Sequence, residues 1–322
     1  MNYIKELSTR INSDIKKLEF NTEPENLYDP IIYTLDSGGK RIRPALCILA
    51  AEMFGGKYED IINVAIGIEV FHNFTLIHDD IMDESLERRG RTTVYKKWNT
   101  NIAILSGDAM MPLALIFIAK AKSFDIINIF SKTALEICEG QQYDMDFESR
   151  LDVSVGEYLK MTKLKTSVLL AASLKAGALL AKASNEECEN LYELGINLGM
   201  AFQLQDDLLD TYGDVTKFKK GKLGNDIVSN KKTFLLIKAL EKATPELKQK
   251  LIDLLELKTF DREDKFNAVK QIFDSLNIEK ETNNLIDDYF KKIEVNFNKI
   301  EVYDKKKENL KGLIDNLKNR EN

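Results

Sequence analysis

Two short acidic patterns, far apart in the chain, have the residue types and spacing to bind divalent cations. They are Asp79-Asp80-x-x-Asp83 and Asp206-Asp207-x-x-Asp210, and each follows an apolar stretch with helical character. Positions i and i+4 of a helix lie about 40° apart around the axis, so the outer carboxylates of each pattern share one face. Like charges at that spacing repel by about 0.2–0.5 kcal/mol. Mg²⁺, which binds one or two carboxylates together with substrate phosphates, would remove this penalty.

The plainer interpretation of either pattern is a solvated acidic helix face. Four basic segments, which carry cations suited to phosphate oxygens, argue against it. These segments are 38–44 (GGKRIRP), 88–91 (RRGR), Lys165-Thr166 in an otherwise apolar helix, and Gly221-Lys222 followed by Lys231. Each also has an ordinary interpretation: a basic helix start, a solvated loop, or a lysine that reaches solvent along its stem. The Gly-Lys segment lacks the Walker A spacing, so any phosphate there is held by lysines and metal.

Other catalytic patterns are missing from the sequence. His72 and His78, the two histidines, are six residues apart and so do not form an i, i+4 ligand pair. For His78 a structural hydrogen bond is the expected role. The sequence has no GxSxG elbow and no Rossmann glycine fingerprint. The chemistry indicated is electrophilic: metal and Lys/Arg hold a diphosphate as it leaves, and a carbocation remains in an apolar site.

The elements that position these groups are predicted to be helices almost throughout. Only five prolines interrupt 322 residues rich in Leu, Ile, Ala, Lys and Glu. Helices are predicted at about 41–54, 58–84, 100–121, 124–147, 154–182, 185–212, 228–241, 246–256, 262–275, 279–301 and 303–320. The expected fold is therefore all-α, with residues 1–322 as a single domain of ten or more helices around a central cleft.

Composition and charge exclude several classes of protein. The net charge is −6, from 46 basic and 52 acidic residues, so no nucleic-acid partner is expected. Cys47, Cys138 and Cys188 are odd in number and lack a CxxC pair, which favours reduced thiols in the cytoplasm. The first twenty residues carry charges where a signal peptide has an apolar core. The longest strongly apolar run, 109–119, is shorter than a membrane span, and we expect a soluble protein.

Taken together, the motifs resemble the trans-isoprenyl diphosphate synthases, also called polyprenyl synthetases, over nearly the whole chain. The matching segments, in order, are GGKRIRP, IEVFHNFTLIHDDIMD, RRG, GQQYDMD (140–146), Lys165-Thr166, FQLQDDLLD, and GKLGND followed by Lys231. Seven ordered motifs are a specific signal, whereas one DDxxD alone is weak. The resemblance implies an all-α bundle around a deep cleft, usually a homodimer, in which the two acidic motifs face each other.

The resemblance also implies a role for each matching residue. The activity would be the condensation of isopentenyl diphosphate with an allylic diphosphate (dimethylallyl, geranyl or farnesyl). About three Mg²⁺ ions, with Mn²⁺ as the alternative, would be bound by Asp79, Asp80, Asp83, Asp206, Asp207 and Asp210. Isopentenyl diphosphate would be held by Lys40, Arg43, His72 and Arg89. The allylic diphosphate would be held by Arg88, Lys165, Thr166, Gln203, Lys222 and Lys231, and Thr166 and Gln203 would also stabilise the cation. The departing diphosphate would accept the proton.

Product length in this family depends on the bulk upstream of the first acidic motif, where Phe74 and Thr75 stand. Helix geometry places Thr75 nearly in line with Asp79 and Phe74 about 140° away, so it does not select Phe74. The resemblance does: one aromatic residue there and no insertion in the motif look like the C20-forming members. We expect geranylgeranyl diphosphate, with farnesyl diphosphate as the alternative, and Phe74 as plain core is the ordinary interpretation.

Three other functions remain as alternatives: a longer-chain synthase, a class I terpene cyclase and a non-catalytic subunit of a heteromeric synthase. Cyclases usually carry a different second motif, and silent subunits typically lose aspartates or the cations of GGKRxRP. All of these residues are present here. The chain departs from the family pattern at Leu223, where a proline often follows the Gly-Lys pair, and no phosphate role is assigned to Arg320 in the lysine-rich tail.

Overall fold

The computed structural model describes residues 2–214 and 223–319, and this part of the chain is almost entirely helical, which confirms the all-α prediction. The first half contains α1 Asn2–Lys16, α2 Glu25–Leu35, α3 Ile42–Met53, α4 Tyr58–Met82, β1 Glu87–Arg88, β2 Arg91–Thr92, α5 Val94–Lys97, α6 Thr100–Ala119, α7 Phe124–Glu148 and α8 Val155–Thr162. A π-helical segment, Lys163–Ser167, follows. The rest contains α9 Val168–Leu180, α10 Asn185–Tyr212, α11 Asn225–Val228, α12 Phe234–Lys242, α13 Pro245–Leu255, α14 Arg262–Ser275, α15 Ile278–Asn298 and α16 Asp304–Lys318.

Most predicted helices agree with the structure to within a few residues, and the differences have local causes. The prediction omitted α1, α2 and the short α5. The predicted helix 154–182 contains the π-helical segment, in which the Val168 N–H bonds to the Lys163 carbonyl instead of the i−4 carbonyl. The predicted helix 228–241 begins later in the structure, as α12 at Phe234, because Asn230 has a left-handed φ of 58° and the Thr233 side chain caps the helix. The short α11 precedes it and shares only Val228 with the predicted range.

The chain forms two compact units, each assembled from separate stretches of sequence. The first unit comprises Met1–Lys132, Leu169–Tyr192 and Lys299–Asn316. The second unit comprises Thr133–Val168, Glu193–Asn298 and Leu317–Asn322. The first acidic motif belongs to the first unit and the second motif to the second unit.

The core of the first unit is built around α4, which is apolar on nearly every face and packs against α3 and α6. Gly67 allows this close packing, since a Cβ there would lie 2.9 Å from the Ala114 carbonyl oxygen. By length and composition alone, α4 and α6 could each cross a membrane, with mean hydropathies of 1.3 and 2.0. The core helix of a soluble protein meets the same criteria, and 61% and 39% of these two apolar windows are buried.

The second unit has a core between α12, α13, α14 and α15, filled by Leu235, Leu251, Ile272 and Phe273 among others. Its helices begin at strong capping residues. Ser154 and Glu157 form a reciprocal capping box at α8, and Asp261 accepts from two N–H groups at the start of α14. The capping box fixes the start of α8, the helix that leads directly into the Lys163–Ser167 segment that carries Lys165.

Candidate active site

The first acidic motif lies at the carboxyl end of α4, where the helix dipole disfavours negative charge. Asp79 and Asp80 occupy the last turn, and Asp83 is the C-cap residue, with its N–H bonded to the Asp79 carbonyl. Asp80 is buried, and its Oδ1 accepts a 2.6 Å bond from Arg88 Nε. Burial, with the adjacent Asp79 and Asp83 charges, raises the pKa of Asp80 to about 6 despite Arg88. Three carboxylates at this end do not stabilise the helix, and their position suits the binding of a cation.

The β1–β2 hairpin directs Arg88 and Arg89 to different partners. Arg88 pairs with Asp80, as described above. Arg89 has a left-handed φ of 56°, and its Nη1 donates to the Gly38 carbonyl and, over 3.3 Å, to Ser37 Oγ. Its guanidinium packs on Gly39, where a Cβ would lie 3.0 Å away. The glycine turn therefore brings Arg89 next to the 38–44 segment.

The 38–44 segment places Arg43 beside His72, with 3.0 Å between Arg43 Nη1 and His72 Nε2. Burial and the charges of nearby arginines, Arg43 first, hold the pKa of His72 well below its usual 6.5, so its imidazole is neutral at pH 7. Lys40 is exposed at the end of the turn. The structure thus groups the cations Arg43 and Arg89 with the neutral His72 in the first unit, and Lys40 belongs to the same 38–44 segment as Arg43.

Arg41, between Lys40 and the helix, has a structural role. It has a left-handed φ of 47° and is buried, and its guanidinium donates to Asn12 Oδ1, to Glu69 Oε1 and to the Leu35 carbonyl over 2.5–2.8 Å. These bonds anchor the turn that presents Lys40 and Arg43. Spacing alone does not distinguish Arg41 from its basic neighbours, although the family resemblance implied substrate roles only for Lys40 and Arg43.

Upstream of the first motif, Phe74 is half-buried and belongs to an aromatic cluster. Its ring centroid lies 4.8 Å from that of His78 and 5.4 Å from that of Phe71. Thr75 Oγ1 bonds to the His72 carbonyl one turn earlier. His78 Nε2 lies 3.2 Å from the Ile104 carbonyl oxygen of α6, which is the structural hydrogen bond predicted for it.

In the second unit, one pocket brings together most of the predicted residues of that half. Its lining includes Asp144, Lys165, Thr166, Gln203, Asp207 and Lys231. Lys165 Nζ donates to Asp144 Oδ2 over 2.6 Å, and both side chains are largely buried. Thr166 Oγ1 bonds to Gln203 Oε1 over 3.1 Å. The lining presents three lysines, Lys165, Lys231 and Lys232, and neutral side-chain oxygens that include those of Thr166 and Gln203. This combination suits an anion that leaves behind a cation.

The three aspartates of the second motif are in different surroundings. Asp206 is half-buried, whereas Asp207 and Asp210 are buried. Asp207 accepts bonds from the Tyr158 hydroxyl and the Gln203 amide, and burial with the nearby Asp226 charge raises its pKa. Asp210 Oδ2 accepts from the Asp226 N–H over 2.9 Å, which ties it to the segment before Lys231. Gly221 and Lys222 lie outside the described residues.

Comparison with known proteins is consistent with this arrangement. Residues 24–273 match the polyprenyl synthetase family. A geranylgeranyl diphosphate synthase of Methanosarcina mazei is 44% identical over 244 residues, which cover 74% of this chain and 75% of that protein. The chain belongs to the polyprenyl synthetase family. It is thus a prenyltransferase, and the resemblance inferred from the motifs is confirmed.

Two further relatives extend this similarity. A geranylgeranyl diphosphate synthase of Sulfolobus acidocaldarius is 37% identical over 273 residues, covering 82% of this chain and 81% of that protein. A crystal structure of a geranylgeranyl pyrophosphate synthase superposes with a TM-score of 0.93 at 44% identity and covers 99% of both chains. The fold of this prenyltransferase is therefore that of solved polyprenyl synthetases.

The aspartates of this polyprenyl synthetase fit Mg²⁺ that is bound together with a substrate. Among the described residues, no group of three Asp, Glu, His or Cys side chains is close enough to hold a metal ion by itself. Mg²⁺ does not need such a group, because it typically takes one or two carboxylates and completes its shell with water and phosphate oxygens. Carboxylates crowded at a helix end with Arg88 nearby suit an ion that arrives with a diphosphate.

Two functional partners were missed by the sequence reasoning. Asp144 binds Lys165, and Tyr158 binds Asp207. A signal for Asp144 exists in the sequence, because a lysine in an apolar helix calls for a counter-charge and the GQQYDMD segment offers one. The sequence holds no comparable signal for Tyr158, because its hydroxyl and Asp207 are 49 residues apart and come together only in the folded protein.

Proposed function

We propose that this prenyltransferase condenses isopentenyl diphosphate head-to-tail (1'-4) with an allylic diphosphate, giving all-trans geranylgeranyl diphosphate. The observation that carries the C20 product is the similarity to the two geranylgeranyl diphosphate synthases of Methanosarcina mazei and Sulfolobus acidocaldarius, which are 44% and 37% identical to this chain. The single aromatic Phe74 upstream of an uninterrupted acidic motif supports the same length.

The substrate sites follow from the two clusters of cations. Isopentenyl diphosphate is held by Lys40, Arg43, His72 and Arg89. The neutral imidazole of His72 keeps Arg43 directed without adding a titrating charge. The allylic diphosphate is held by Arg88, Lys165, Thr166, Gln203, Lys222 and Lys231, of which Lys165, Thr166, Gln203 and Lys231 line the pocket in the second unit.

Mg²⁺ would be held by Asp79, Asp80 and Asp83 and by Asp206, while Asp207 and Asp210 position the second motif. When bound, Mg²⁺ neutralises charge on the leaving diphosphate. About three ions per site are expected, and Mn²⁺ is the alternative. The buried bonds of Asp207 to Tyr158 and Gln203 support its positioning role.

In the reaction, the allylic C–O bond breaks, and the diphosphate leaves with the electron pair. The isopentenyl double bond supplies the electrons of the new C–C bond, and a proton then passes to the diphosphate, which restores a double bond. Lys165, fixed by Asp144, stabilises the charge that develops on the leaving oxygen. The side-chain oxygens of Thr166 and Gln203 offer the negative ends of their dipoles to the cation.

The protein would act as a cytoplasmic homodimer of single-domain subunits, with no nucleic-acid partner and no membrane span. The dimer is supported by an apolar stripe on α6, where Leu105 and Ile116 are 61% and 60% exposed on one face. The free thiols of Cys47, Cys138 and Cys188 are consistent with a reducing compartment.

The test incubates pure protein with Mg²⁺, isopentenyl diphosphate and, in turn, dimethylallyl, geranyl and farnesyl diphosphates, and sizes the products by mass spectrometry. A C20 end product supports the proposal. A C15 end product, or products beyond C20, would overturn the length while keeping the chemistry. No condensation by folded protein would overturn the function, and hydrocarbons formed from the allylic substrate alone would identify a cyclase.

A further inference from the structure

The π-helical segment Lys163–Ser167 is in close contact with two glycines on neighbouring helices of the second unit. Gly140 of α7 lies against its start: a Cβ there would be 2.8 Å from Leu164 C and Lys165 Cα, and nearer still to Lys165 N. Gly199 of α10 lies against its end: a Cβ there would be 2.6 Å from Ser167 Cβ and Oγ, and nearer to Ser167 Cα. Backbone therefore touches backbone on both sides of Lys165-Thr166.

Local conformation does not require either glycine. Both lie within helices, and neither has a positive φ, so alanine would fit the backbone angles. Glycine in a helix costs about 0.5–1 kcal/mol relative to alanine. The close approach of the Lys163–Ser167 segment, which leaves no room for a Cβ, is thus the feature that accounts for both glycines.

The missing side chains of the two glycines make room for the wider π-helical turn. A π-turn inserts one extra residue per turn and is wider than the α-helix, and such turns occur frequently at functional sites. Within it, consecutive residues are directed at different partners: Lys165 at Asp144 of α7 and Thr166 at Gln203 of α10. The glycine on each helix lies about one turn from the partner on the same helix, Gly140 before Asp144 and Gly199 before Gln203.

We propose that Gly140 and Gly199 are positioning residues, which clamp the π-turn so that Lys165 and Thr166 meet the allylic diphosphate together with Gln203. This inference rests on the proposed function. A displacement of about 1 Å at a reacting group can cost about a hundredfold in rate. A methyl group at either glycine would force a shift of that order, because the atoms that it meets belong to backbone or to a short side chain.

The experiment compares Gly140→Ala and Gly199→Ala with two glycine controls. Gly177→Ala is equally crowded, with Cys47 C at 2.9 Å and Cys47 O nearer, but lies in the first unit. Gly156→Ala is uncrowded, with Ser154 Oγ 4.0 Å away. Folding is checked by circular dichroism and melting, and steady-state kinetics are measured separately for each substrate.

For the two clamp variants we expect kcat/KM for the allylic diphosphate to fall about ten- to a hundredfold, with KM for isopentenyl diphosphate within about threefold. Gly177→Ala should lower the melting temperature but leave kcat/KM for the allylic diphosphate and KM for isopentenyl diphosphate close to wild type. Gly156→Ala should change neither the melting temperature nor these kinetic constants. Unchanged allylic kinetics in folded clamp variants would overturn the proposal. A rise in KM for isopentenyl diphosphate as large as that for the allylic diphosphate would also overturn it, since such a rise signifies a general packing defect.

A second variant covers the case in which a single substitution prevents folding. Ser167→Gly combined with Gly199→Ala removes two of the three crowded atoms, Cβ and Oγ, and should recover part of the allylic kcat/KM. If the folded double variant recovers none of the kcat/KM for the allylic diphosphate, the clamp is contradicted. If the wild-type protein condenses nothing, the proposed function fails. Crystal structures of the clamp variants then decide: a lost or displaced π-turn supports the clamp, and an unchanged π-turn overturns it.

Discussion

Tyr158 and Asp207 share a buried hydrogen bond, in which the phenol donates to Asp207 Oδ2 over 2.6 Å. Gln203 Nε2 donates to the other carboxylate oxygen over 2.9 Å, and the Phe234 N–H approaches Oδ2 at 3.4 Å. Both oxygens of the middle aspartate are therefore held by the protein. The DDxxD spacing does not distinguish these aspartates, but the fold does, since Asp207 is buried and Asp206 is half-buried.

Tyr158→Phe should remove a donor from this buried carboxylate and lower the free energy of unfolding by about 1–3 kcal/mol. Its loss of allylic kcat/KM should be smaller than that of Asp206→Asn, because the phenol acts through Asp207. Urea unfolding and steady-state kinetics measure both effects. Tyr303→Phe, which changes an 85% exposed tyrosine, should stay within about 0.5 kcal/mol of wild type. A Tyr158→Phe protein as stable as wild type would contradict the prediction.

Arg41→Met should cost about 3–5 kcal/mol of stability, because it leaves Glu69 charged and buried without its partner. Adding Glu69→Leu should restore much of this loss, as both charges are then gone. Lys40→Ala, one residue away, should instead raise KM for isopentenyl diphosphate and keep stability within about 0.5 kcal/mol. Equal stability of the single and double variants would show that the ion pair is not the cause.

Phe74→Ala should lengthen the product, because it removes an aromatic ring from below the growing chain. Mass spectrometry with farnesyl diphosphate as the starter should detect prenyl diphosphates beyond C20. Phe290→Leu, at a buried position on α15 in the second unit, is the control for loss of a ring and should leave the product unchanged. If the products of Phe74→Ala match those of wild type, Phe74 is ordinary core.

His72 should make the protein less stable in mild acid. Its pKa is lowered in the folded state, so below pH 6.5 the unfolded chain binds more protons, and a fall in pH favours unfolding. Between pH 6.5 and 5.5 this contribution reaches up to about 1 kcal/mol. Wild type should therefore lose up to that much more stability than His72→Gln in chemical unfolding, while near pH 8 the two should show the same dependence on pH. Identical acid limbs would indicate that His72 titrates normally.

Leu105→Glu should separate the proposed dimer, since Leu105 and Ile116 are three helical turns apart on the same exposed face of α6. Sedimentation should give twice the 36.8 kDa chain mass for wild type and the single mass for the variant. Val295→Glu, at a 55% exposed position on α15, should sediment as wild type does. A wild-type monomer would refute the dimer outright.

Local sequence determined much of this protein. Most helices from α3 onward, except the short α5 and α11, follow from scarce proline and from residues of high helix propensity, which act locally. The acidic and basic motifs could also be recognised in the sequence, because like charges at these spacings repel unless a ligand of opposite charge is bound. The family followed from the order of the motifs.

Tertiary structure decided which of the motif residues have which task. Arg41 and Arg43 look alike in sequence, yet only the fold supplies Glu69, which binds Arg41 inside the core. Asp144 meets Lys165 across 21 residues, and Tyr158 meets Asp207 across 49. The π-turn likewise depends on the backbones of α7 and α10, which approach it at Gly140 and Gly199. Periodicity and spacing describe one helix at a time, whereas burial and pairing of a charge depend on which helices pack against it.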